Sequence, residues 1–455
     1  MNYKQTMDYL ENLSSYGIVP GLTNMENLCE KLGNPQDKLN IIHIAGTNGK
    51  GSVLAYLSTV LQCAGYKCGR YISPVIFEYR EKIQINQKPI SQNKLVSYVE
   101  KVKAACDMLV EEGKPHPTQF EFETALCFLY FMEEKCDVVV LETGMGGRLD
   151  ATNIIRKPLV TVLASISMDH MKFLGNSLKE IATEKAGICK AGCPIVTMSQ
   201  EPEAMAVIQA RAEELGSSLS IATSGNAGKI RYGMEVQKFN YKEYKDLAIP
   251  LAGKHQIDNA VLAVEVIQVL NGLNKELNQK NSGAREFTIS EKHLRKGLLE
   301  TKWPGRFSVI AKKPFFVVDG AHNEDAAKKL ADSIRFYFTN RRIVYIMGVL
   351  KDKEYEKIIA ETYAYADQII TITTPDNPRA LPALELAQAV KDYHPNVTAA
   401  GSLEEAVEIA YLLAGKDDVI ICFGSLSYQG KLIGIVEERG KAKQRKCGGN
   451  HGRQK

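Results

Sequence analysis

A strand, a glycine-rich loop and a helix follow one another between residues 39 and 66, and this unit constrains the fold more than any other part of the chain. The run "LNIIHIAG" is almost uniformly apolar, as expected for a strand that is buried on both faces. After the loop, "GSVLAYLSTVLQCAGY" carries apolar residues at helical spacing. This order is typical of α/β proteins, in which such a loop lies at the carboxyl end of a parallel strand.

The alternation of strands and helices continues along the chain. Further strands are predicted at "CDVVVLETG", "PLVTVLASIS" and "CPIVTMS", with helices such as "QFEFETALCFLYFMEEK" and "NSLKEIATEKAGICK" between them. After "KWPGRFSVI" a second series begins, with strands at "FFVVDGAHN", "RRIVYIMGVL", "QIITITTP" and "DVIICFGS". We therefore predict an α/β fold, in which a P-loop-containing, mostly parallel sheet domain is followed by a smaller, Rossmann-like C-terminal α/β domain.

The length of 455 residues also indicates two domains. We place the first at residues 1–300 and the second at residues 301–438, with a polar surface excursion at residues 271–287 near the boundary. Residues 439–455 hold seven Lys and Arg and no acid, so the rest of the chain carries about −3 of the net +4. We expect this basic tail to be disordered and solvated, because no aromatic residues interleave its charges.

Composition indicates a soluble globular protein, with 45% hydrophobic and 24% charged residues. No apolar run approaches the roughly 20 residues of a membrane span, and the polar N-terminus does not resemble a signal peptide. The ten cysteines form no paired framework, which favours reduced thiols. We expect a cytoplasmic monomer that binds neither nucleic acid nor membrane.

The loop "HIAGTNGKGSV" departs twice from the usual phosphate-loop pattern of Gly, four residues and Gly-Lys-[Ser/Thr]. Ile44 stands where the first glycine belongs, and Gly51 precedes Ser52 where the hydroxyl residue belongs. Its glycines still allow backbone N–H groups to face an anion at the start of a helix. Lys50 would neutralise phosphate oxygens and Ser52 could reach Mg²⁺. We predict nucleotide binding rather than a plain structural turn.

Polar residues at the ends of the next strands extend this prediction. Glu142 follows four apolar residues directly, so a carboxylate stands at a strand's carboxyl end, where it suits Mg²⁺. His170, preceded by Asp169, follows "TVLASIS"; a structural role and a ligand role both remain open for it. Lys185 lies on a predicted helix, where the pattern alone favours a solvated side chain.

In the second series, Asp319 and His322 stand at another strand end, and Arg306 follows a Pro-Gly turn. Arginine suits a phosphate-rich transition state because its charge is permanent and its donors form a fork. Half-sites on two domains predict a cleft that closes on its substrate.

Taken together, the motifs resemble those of the folylpolyglutamate synthase family, part of the Mur ligase superfamily. They are "HIAGTNGKGS", "ETGMGGRLDATN", "SISMDH", "EKAGI", "PGRF" and "DGAHN", in the family's order, and the similarity runs from Tyr16-Gly17 to "FGSLSYQG". The resemblance implies an enzyme that uses ATP and Mg²⁺ to add L-glutamate to the glutamate carboxylate of a reduced folate through an acyl phosphate. It also implies possible action on dihydropteroate, since many bacterial relatives add the first glutamate too.

The resemblance assigns roles to individual residues. It implies ATP binding by Thr47, Asn48, Gly49, Lys50, Gly51 and Ser52, by Arg306 and Asp319 with His322 nearby, and by Asn259 on the adenine side. It implies metal binding by Ser73, Glu142 and His170. Lys185 matches a lysine that relatives carry as a carbamate, which could hold a second Mg²⁺. The expected catalytic residues are Lys50, Glu142, His170 and Lys185.

Two departures concern the folate side. Val75 stands where many relatives have His, and Asn24 and Met25 replace the family's usual Arg-Ile, which leaves the preferred pterin open. Three alternatives also remain: a sister ligase for a peptidoglycan precursor, a P-loop binding module without ligase activity, and a nucleic-acid binder that uses the basic tail. "ETGMGGRLDATN" speaks against the first.

Overall fold

The structure, a computed structural model, describes residues 1–17, 19–279 and 287–448. An eight-stranded sheet forms the first unit, in the order β4-β3-β2-β5-β1-β6-β7-β8. Its strands are β1 (Ile41–Ala45), β2 (Cys68–Tyr71), β3 (Ile83–Ile85), β4 (Lys88–Pro89), β5 (Val138–Glu142), β6 (Val160–Leu163), β7 (Ile195–Met198) and β8 (Leu219–Ala222). All pairings are parallel except those of β3 with β2 and β4, so the phosphate loop and Glu142 leave the same edge of the sheet.

Helices cover both faces of this sheet, which explains why β1 and β5 are buried along their whole length. They are α1 (Tyr3–Asn12), α2 (Thr23–Lys31), α3 (Lys50–Cys63), α4 (Gln92–Glu111), α5 (Gln119–Glu133), α6 (Met171–Leu174), α7 (Leu178–Ala186), α8 (Pro202–Glu214), α9 (His255–Gln279) and α10 (Glu291–Glu300). One core lies against α3, α9 and α10, and another against α1, α2, α4 and α5. Helix α5 begins in a capping box, in which Thr118 and Glu121 satisfy each other's backbone N–H groups.

An antiparallel three-stranded sheet, which the sequence did not predict, lies between β8 and α9 in the chain. It consists of β9 (Ala227–Arg231), β10 (Gln237–Tyr241) and β11 (Tyr244–Ile249). Phe239 and Leu247 are fully buried and belong to the core around α3 and α9. The small sheet therefore extends the first unit's core.

A six-stranded sheet forms the second unit, in the order β12-β13-β17-β14-β15-β16. Its strands are β12 (Ser308–Lys312), β13 (Phe315–Val318), β14 (Ile343–Met347), β15 (Gln368–Thr371), β16 (Val397–Ala399) and β17 (Val419–Phe423). Its helices are α11 (Glu324–Tyr337), α12 (Tyr355–Thr362), α13 (Ala383–Lys391), α14 (Leu403–Leu413) and α15 (Gln429–Gly448). Only β12 is antiparallel, so this sheet too is covered on both faces.

The predicted fold class is confirmed. The expected disorder from residue 439 is wrong for residues 439–448, which continue α15. The Lys, Arg, Gln and Ala residues of this segment favour helix. In addition, Arg439 lies 4.5 Å from the ring of Tyr411 and pairs with Glu408. Residues 449–455 lie outside the described residues. The predicted excursion at 271–287 is also partly wrong, because α9 runs to Gln279; residues 280–286 lie outside the described residues. The domain boundaries stay predictions.

Within the described parts of the chain, no helix is long and apolar enough to span a membrane.

Candidate active site

The loop after β1 turns sharply into α3. Gly49 precedes the helix in the left-handed region with φ of 86°, and a Cβ there would lie 2.5 Å from Oδ1 of Asn259. A Cβ on Gly51 would lie 2.6 Å from Cζ2 of Trp303. Both positions therefore require glycine, Gly49 for its backbone and Gly51 for the close approach of an indole ring. A hydroxyl residue at position 51 would overlap Trp303, whereas Ser52 does not meet this constraint.

Lys50 folds back over the loop. Its Nζ donates to the carbonyl oxygens of Gly46 at 3.0 Å and Thr47 at 3.3 Å, and it lies 3.8 Å from Oε1 of Glu142. The loop itself is fastened to the end of β6, because the Thr47 N–H donates to the Ser165 carbonyl at 2.7 Å. Lys50 is thus held as a cation beside a carboxylate at the sheet edge.

Glu142 ends β5 and is 5% exposed. Burial raises the pKa of its carboxyl to about 7, although the charges of Lys50 and Arg306 oppose that shift. A carboxylate so placed is short of compensating positive charge, which a bound cation would supply.

Lys185 is buried on α7, with 3% of its surface exposed, so the pattern-based expectation of a solvated lysine is wrong. Its Nζ donates to the carbonyl of Gly46 at 2.9 Å, on a loop 139 residues away in sequence. Burial, reinforced by the charge of Lys50, lowers its pKa to about 7. A large fraction of neutral amine at neutral pH is the condition that carbamate formation requires.

Asp169 forms the main polar link between the two units. Lys353, beyond β14, donates to its Oδ1 at 2.6 Å, and Asn323 donates to its Oδ2 at 3.0 Å. His322 places Nε2 3.6 Å from the same Oδ2. Burial alone would raise the pKa of Asp169, but the hydrogen bond from His322 and the charge of Lys353 hold it well below its usual range.

A second link joins the phosphate loop directly to α11. The side-chain amide of Asn48 donates to Asp325 at 2.7 Å and exchanges hydrogen bonds of 3.2 Å with Asn323. The two units therefore meet at the loop.

These side chains surround one cavity of about 330 Å³. Of the sequence-predicted site residues, its walls contain Thr47, Asn48, Lys50, Ser73, Glu142, His170, Lys185, Arg306 and His322. The others line an adjoining cavity of about 40 Å³, which shares Asn48 and Arg306 with the first: Gly49, Gly51, Ser52, Asn259 and Asp319. The structure thus brings every predicted position to one region, while the role of each stays a prediction.

Three of these positions already have partners. The Ser52 hydroxyl accepts a hydrogen bond from Gln256 at 3.3 Å. Gln256 also accepts from Asn259 at 3.1 Å. The two oxygens of Asp319 accept the N–H groups of Phe307 and Ala321, each at 2.8 Å. Asp319 therefore holds the turn that carries Arg306.

Lys353, Asn323 and Asp325 were not among the residues predicted from the sequence. Asn323 directly follows the "DGAH" motif, and that adjacency was a usable signal. Lys353 lies in the loop "GVLKDKEY" after β14, and its position beyond a strand end was a weaker signal.

The donor set fits Mg²⁺. A hydroxyl, a carboxylate and an imidazole from Ser73, Glu142 and His170 line the same cavity, and burial raises the pKa of Glu142 despite the charges of Lys50 and Arg306, so a bound cation would favour its ionised form. In the described parts of the chain no three His, Cys, Asp or Glu side chains are grouped to hold a metal. That agrees with Mg²⁺, which usually takes one or two carboxylates and keeps waters and substrate phosphates as its other ligands.

Comparison with known proteins agrees with this geometry. Residues 44–267 match the Mur ligase middle domain, and residues 305–426 match the glutamate ligase domain of Mur ligases. The Bacillus subtilis dihydrofolate synthase/folylpolyglutamate synthase is 36% identical over 94% of this chain and 97% of its own length.

Solved structures give the same result. Folylpolyglutamate synthase of Mycobacterium tuberculosis complexed with ADP and AMPPCP superposes with a TM-score of 0.85 at 29% identity, covering 95% of this chain and 99% of its own. Escherichia coli FolC in complex with DHPP and ADP gives 0.81 at 27% identity, covering 96% and 98%.

A phosphate loop on one parallel sheet, facing a second α/β unit across a polar cavity, defines an ATP-dependent ligase of the Mur type. Within that class, the chain belongs to the folylpolyglutamate synthase and dihydrofolate synthase family.

Proposed function

We propose that the enzyme adds L-glutamate to the glutamate carboxylate of a reduced folate, through an acyl phosphate formed with ATP. One observation carries the proposal: the 330 Å³ cavity is lined by Lys50 and Glu142 from the first unit and by Arg306 and His322 from the second. Lys50 and Arg306 therefore bring positive charge from both units to the place where a phosphoryl group would be transferred. The names of the relatives support folate and glutamate as substrates.

The chemistry requires a carboxylate to become a better electrophile. Transfer of the γ-phosphoryl group of ATP to a carboxylate oxygen gives an acyl phosphate and ADP; the amine of glutamate then attacks the acyl carbon, and phosphate leaves. When bound, Mg²⁺ would neutralise charge on the phosphates. Lys50 and Arg306 would stabilise the transferring group, and Ser73, Glu142 and His170 would hold the metal.

Lys185 would contribute as a carbamate. Its pKa of about 7 supports this, since the neutral amine is the form that adds CO₂. The product would be an anionic carbamate beside Lys50. The carbamate would bind a metal ion in place of the hydrogen bond that Lys185 now donates to Gly46. Intact mass of native protein should rise by about 44 Da, the mass of CO₂ added to a neutral amine.

A second substrate is also proposed. DHPP accompanies ADP in the Escherichia coli relative, and several relatives are named dihydrofolate synthases, which supports action on dihydropteroate as well. We further propose a cytoplasmic monomer; the nine cysteines from Cys29 to Cys422 are all free.

One assay tests the reaction. ADP release is measured with ATP, Mg²⁺ and glutamate plus either tetrahydrofolate or dihydropteroate, and each component is omitted in turn. We expect ADP only when a pterin substrate and glutamate are both present. Equal turnover without glutamate and folate would instead indicate a nucleotide-binding module without ligase activity.

A further inference from the structure

A second cavity, of about 180 Å³, adjoins the active-site cavity behind the Ser73–Pro74 turn. Its distinctive wall consists of Arg70 on β2, Gln84 on β3 and Trp303. No role for it follows from the reaction described above.

Arg70 is 7% exposed, and its guanidinium is only partly satisfied. Nε and Nη2 both donate to Oε1 of Gln84, at 2.9 and 2.6 Å, while Nη1 is buried without a hydrogen-bond partner. Over the described residues no acidic side chain forms an ion pair with it. Burial lowers its pKa to about 10, so the group stays charged at neutral pH. The charge of Glu81, on the same cavity wall, only partly offsets that burial, and it leaves Nη1 without a hydrogen-bond partner. A buried cation that lacks a direct partner is costly, which indicates that a ligand supplies one.

Three other polar side chains of this cavity are engaged elsewhere, while Ser73 and Arg306 also line it. Glu81 accepts the N–H groups of Ile76 and Phe77 at 3.2 Å through one oxygen. Gln87 donates to Gln62 at 2.9 Å and to Thr59 at 3.3 Å. Glu142 faces Lys50. Nη1 of Arg70 is the buried donor of this wall that has no partner.

Trp303 supplies an apolar surface beside that donor. Its ring centre lies 5.7 Å from the guanidinium carbon of Arg70. A ligand with an anionic end and a flat or aliphatic body could place the anion on Arg70 and the body on the indole.

We propose that this cavity binds a carboxylate, held by Arg70 and lying against Trp303. A carboxylate carries one negative charge and its planar oxygens match a guanidinium. Arg306 also lines this cavity, but so do Glu81 and Glu142, whose charges would oppose a dianion such as phosphate more strongly than a monoanion. The volume corresponds to about six waters at roughly 30 Å³ each, enough for a short-chain carboxylate but not for a nucleotide. The carboxylate belongs either to a substrate of the proposed reaction or to a separate small acid. In the first case the inference rests on the proposed function.

The binding test uses glutarate as the probe and its neutral diamide, glutaramide, as the matched control ligand. Calorimetry is run on the full chain with Mg²⁺ and AMPPCP present, to fill the nucleotide site. We expect Arg70→Met to weaken glutarate binding at least tenfold, and glutaramide to bind no variant. Arg80→Met is the control, because Arg80 pairs with Glu78 at the surface. Unchanged glutarate binding in Arg70→Met would overturn the proposal.

Folding is checked in the same proteins. Replacing a buried, unpaired charge by an apolar side chain is often neutral or stabilising, so the melting temperature of Arg70→Met should stay near the wild-type value. If that variant does not fold, Arg70→Met with Gln84→Leu removes the orphaned amide as well. Arg70→Lys keeps the charge without the fork, and intermediate glutarate affinity is expected.

Kinetics identify the source of the carboxylate. A tenfold higher KM for glutamate or for tetrahydrofolate in Arg70→Met, with the KM for ATP unchanged, assigns the cavity to that substrate. Unchanged substrate KM values with lost glutarate binding assign it to a separate acid; both results support the site. Failure of the proposed reaction would give a different result: the wild-type protein would release no folate-dependent ADP. Glutarate binding would still depend on Arg70 in that case.

Discussion

At the residue scale, the position of the Lys50 ammonium group is fixed by its own loop. Its ammonium is retained by the carbonyls of Gly46 and Thr47 and lies 3.8 Å from Glu142. Lys50 carries the positive charge of this loop, so the proposed function assigns it the neutralisation of phosphate oxygens there, together with Arg306 across the cavity.

We expect Lys50→Ala to lower the rate of ADP formation at least about a hundredfold, as the loss of a preorganised transition-state donor does. The melting temperature should change little, since Lys50 packs against its own loop. ADP release and thermal unfolding are measured together, with the exposed Lys312→Ala as control. Retained turnover in Lys50→Ala would show that the loop does not hold the reacting phosphate.

His43 is a buried base in the middle of β1. Nε2 contacts the hydroxyl of Thr152 at 2.8 Å, and Nδ1 has no partner. Burial, with a contribution from Lys190, lowers its pKa to about 3. In the unfolded chain histidine titrates near 6.5, so below that pH the unfolded state binds the additional proton.

Stability should therefore fall as pH drops from about 6.5 toward 3, and His43 should contribute up to about 2 kcal/mol of that loss by pH 5. Urea unfolding at pH 7 and pH 5 measures it. His43→Asn should start less stable but lose less between the two values. Parallel losses in both proteins would contradict the assignment.

At the scale of elements, the sequence predicted the parallel strands well, because runs such as "VVVLE" and "VIICF" are apolar throughout and end abruptly in polar or glycine residues. It did not predict β9–β11. In the segment "KFNYKEYKDLAI" charged residues interrupt the apolar ones, so no continuous apolar run marks a strand. The side chains of this segment that reach the core are Phe239, Tyr241, Leu247 and Ile249.

Helix α10 packs very closely on the phosphate-loop helix α3. Gly297 allows this approach: a Cβ on it would lie 2.4 Å from Cα of Val60. Gly272 on α9 offers the matched control, since nothing lies within 4 Å of its Cβ position.

We expect Gly297→Ala to destabilise the protein by about 1–3 kcal/mol, because the backbone of α3 must move. Gly272→Ala should stabilise it by about 0.4–1 kcal/mol through helix propensity. Denaturant unfolding compares the two. Equal effects would mean that the contact between α3 and α10 is looser than described.

For the whole molecule, the ion pair between Asp169 and Lys353 is a buried charged contact among the polar links between the two half-sites. Both side chains are 8% exposed. Removing one partner of a buried pair leaves the other charge uncompensated, at a typical cost of 3–5 kcal/mol.

Lys353→Met should therefore lower the melting temperature and reduce ligase activity at least tenfold, and small-angle scattering should show a larger radius of gyration. The control is Lys351→Met, two residues away and exposed. Wild-type activity and dimensions in Lys353→Met would show that the link is not needed to hold the units together.

Assembly of the site marks the limit of sequence reasoning. Strand-end positions pointed to Glu142, His170 and Asp319, because parallel strands present their carboxyl ends at one edge. Burial of Lys185 could not be inferred, since it depends on the carbonyl of Gly46, 139 residues away. The pairing of Asp169 with Lys353, across 184 residues, likewise depends on how two sheets dock.

The contact between Gly51 and Trp303 has a consequence for the evolution of the loop. A side chain at position 51 would overlap the indole ring, so the departure from the usual phosphate-loop motif is imposed from 252 positions downstream. Positions 51 and 303 should thus co-vary among homologues: where a serine or threonine returns to the first, a smaller residue should accompany it at the second. A motif that looks local in the sequence therefore depends, in this chain, on a residue of a distant segment.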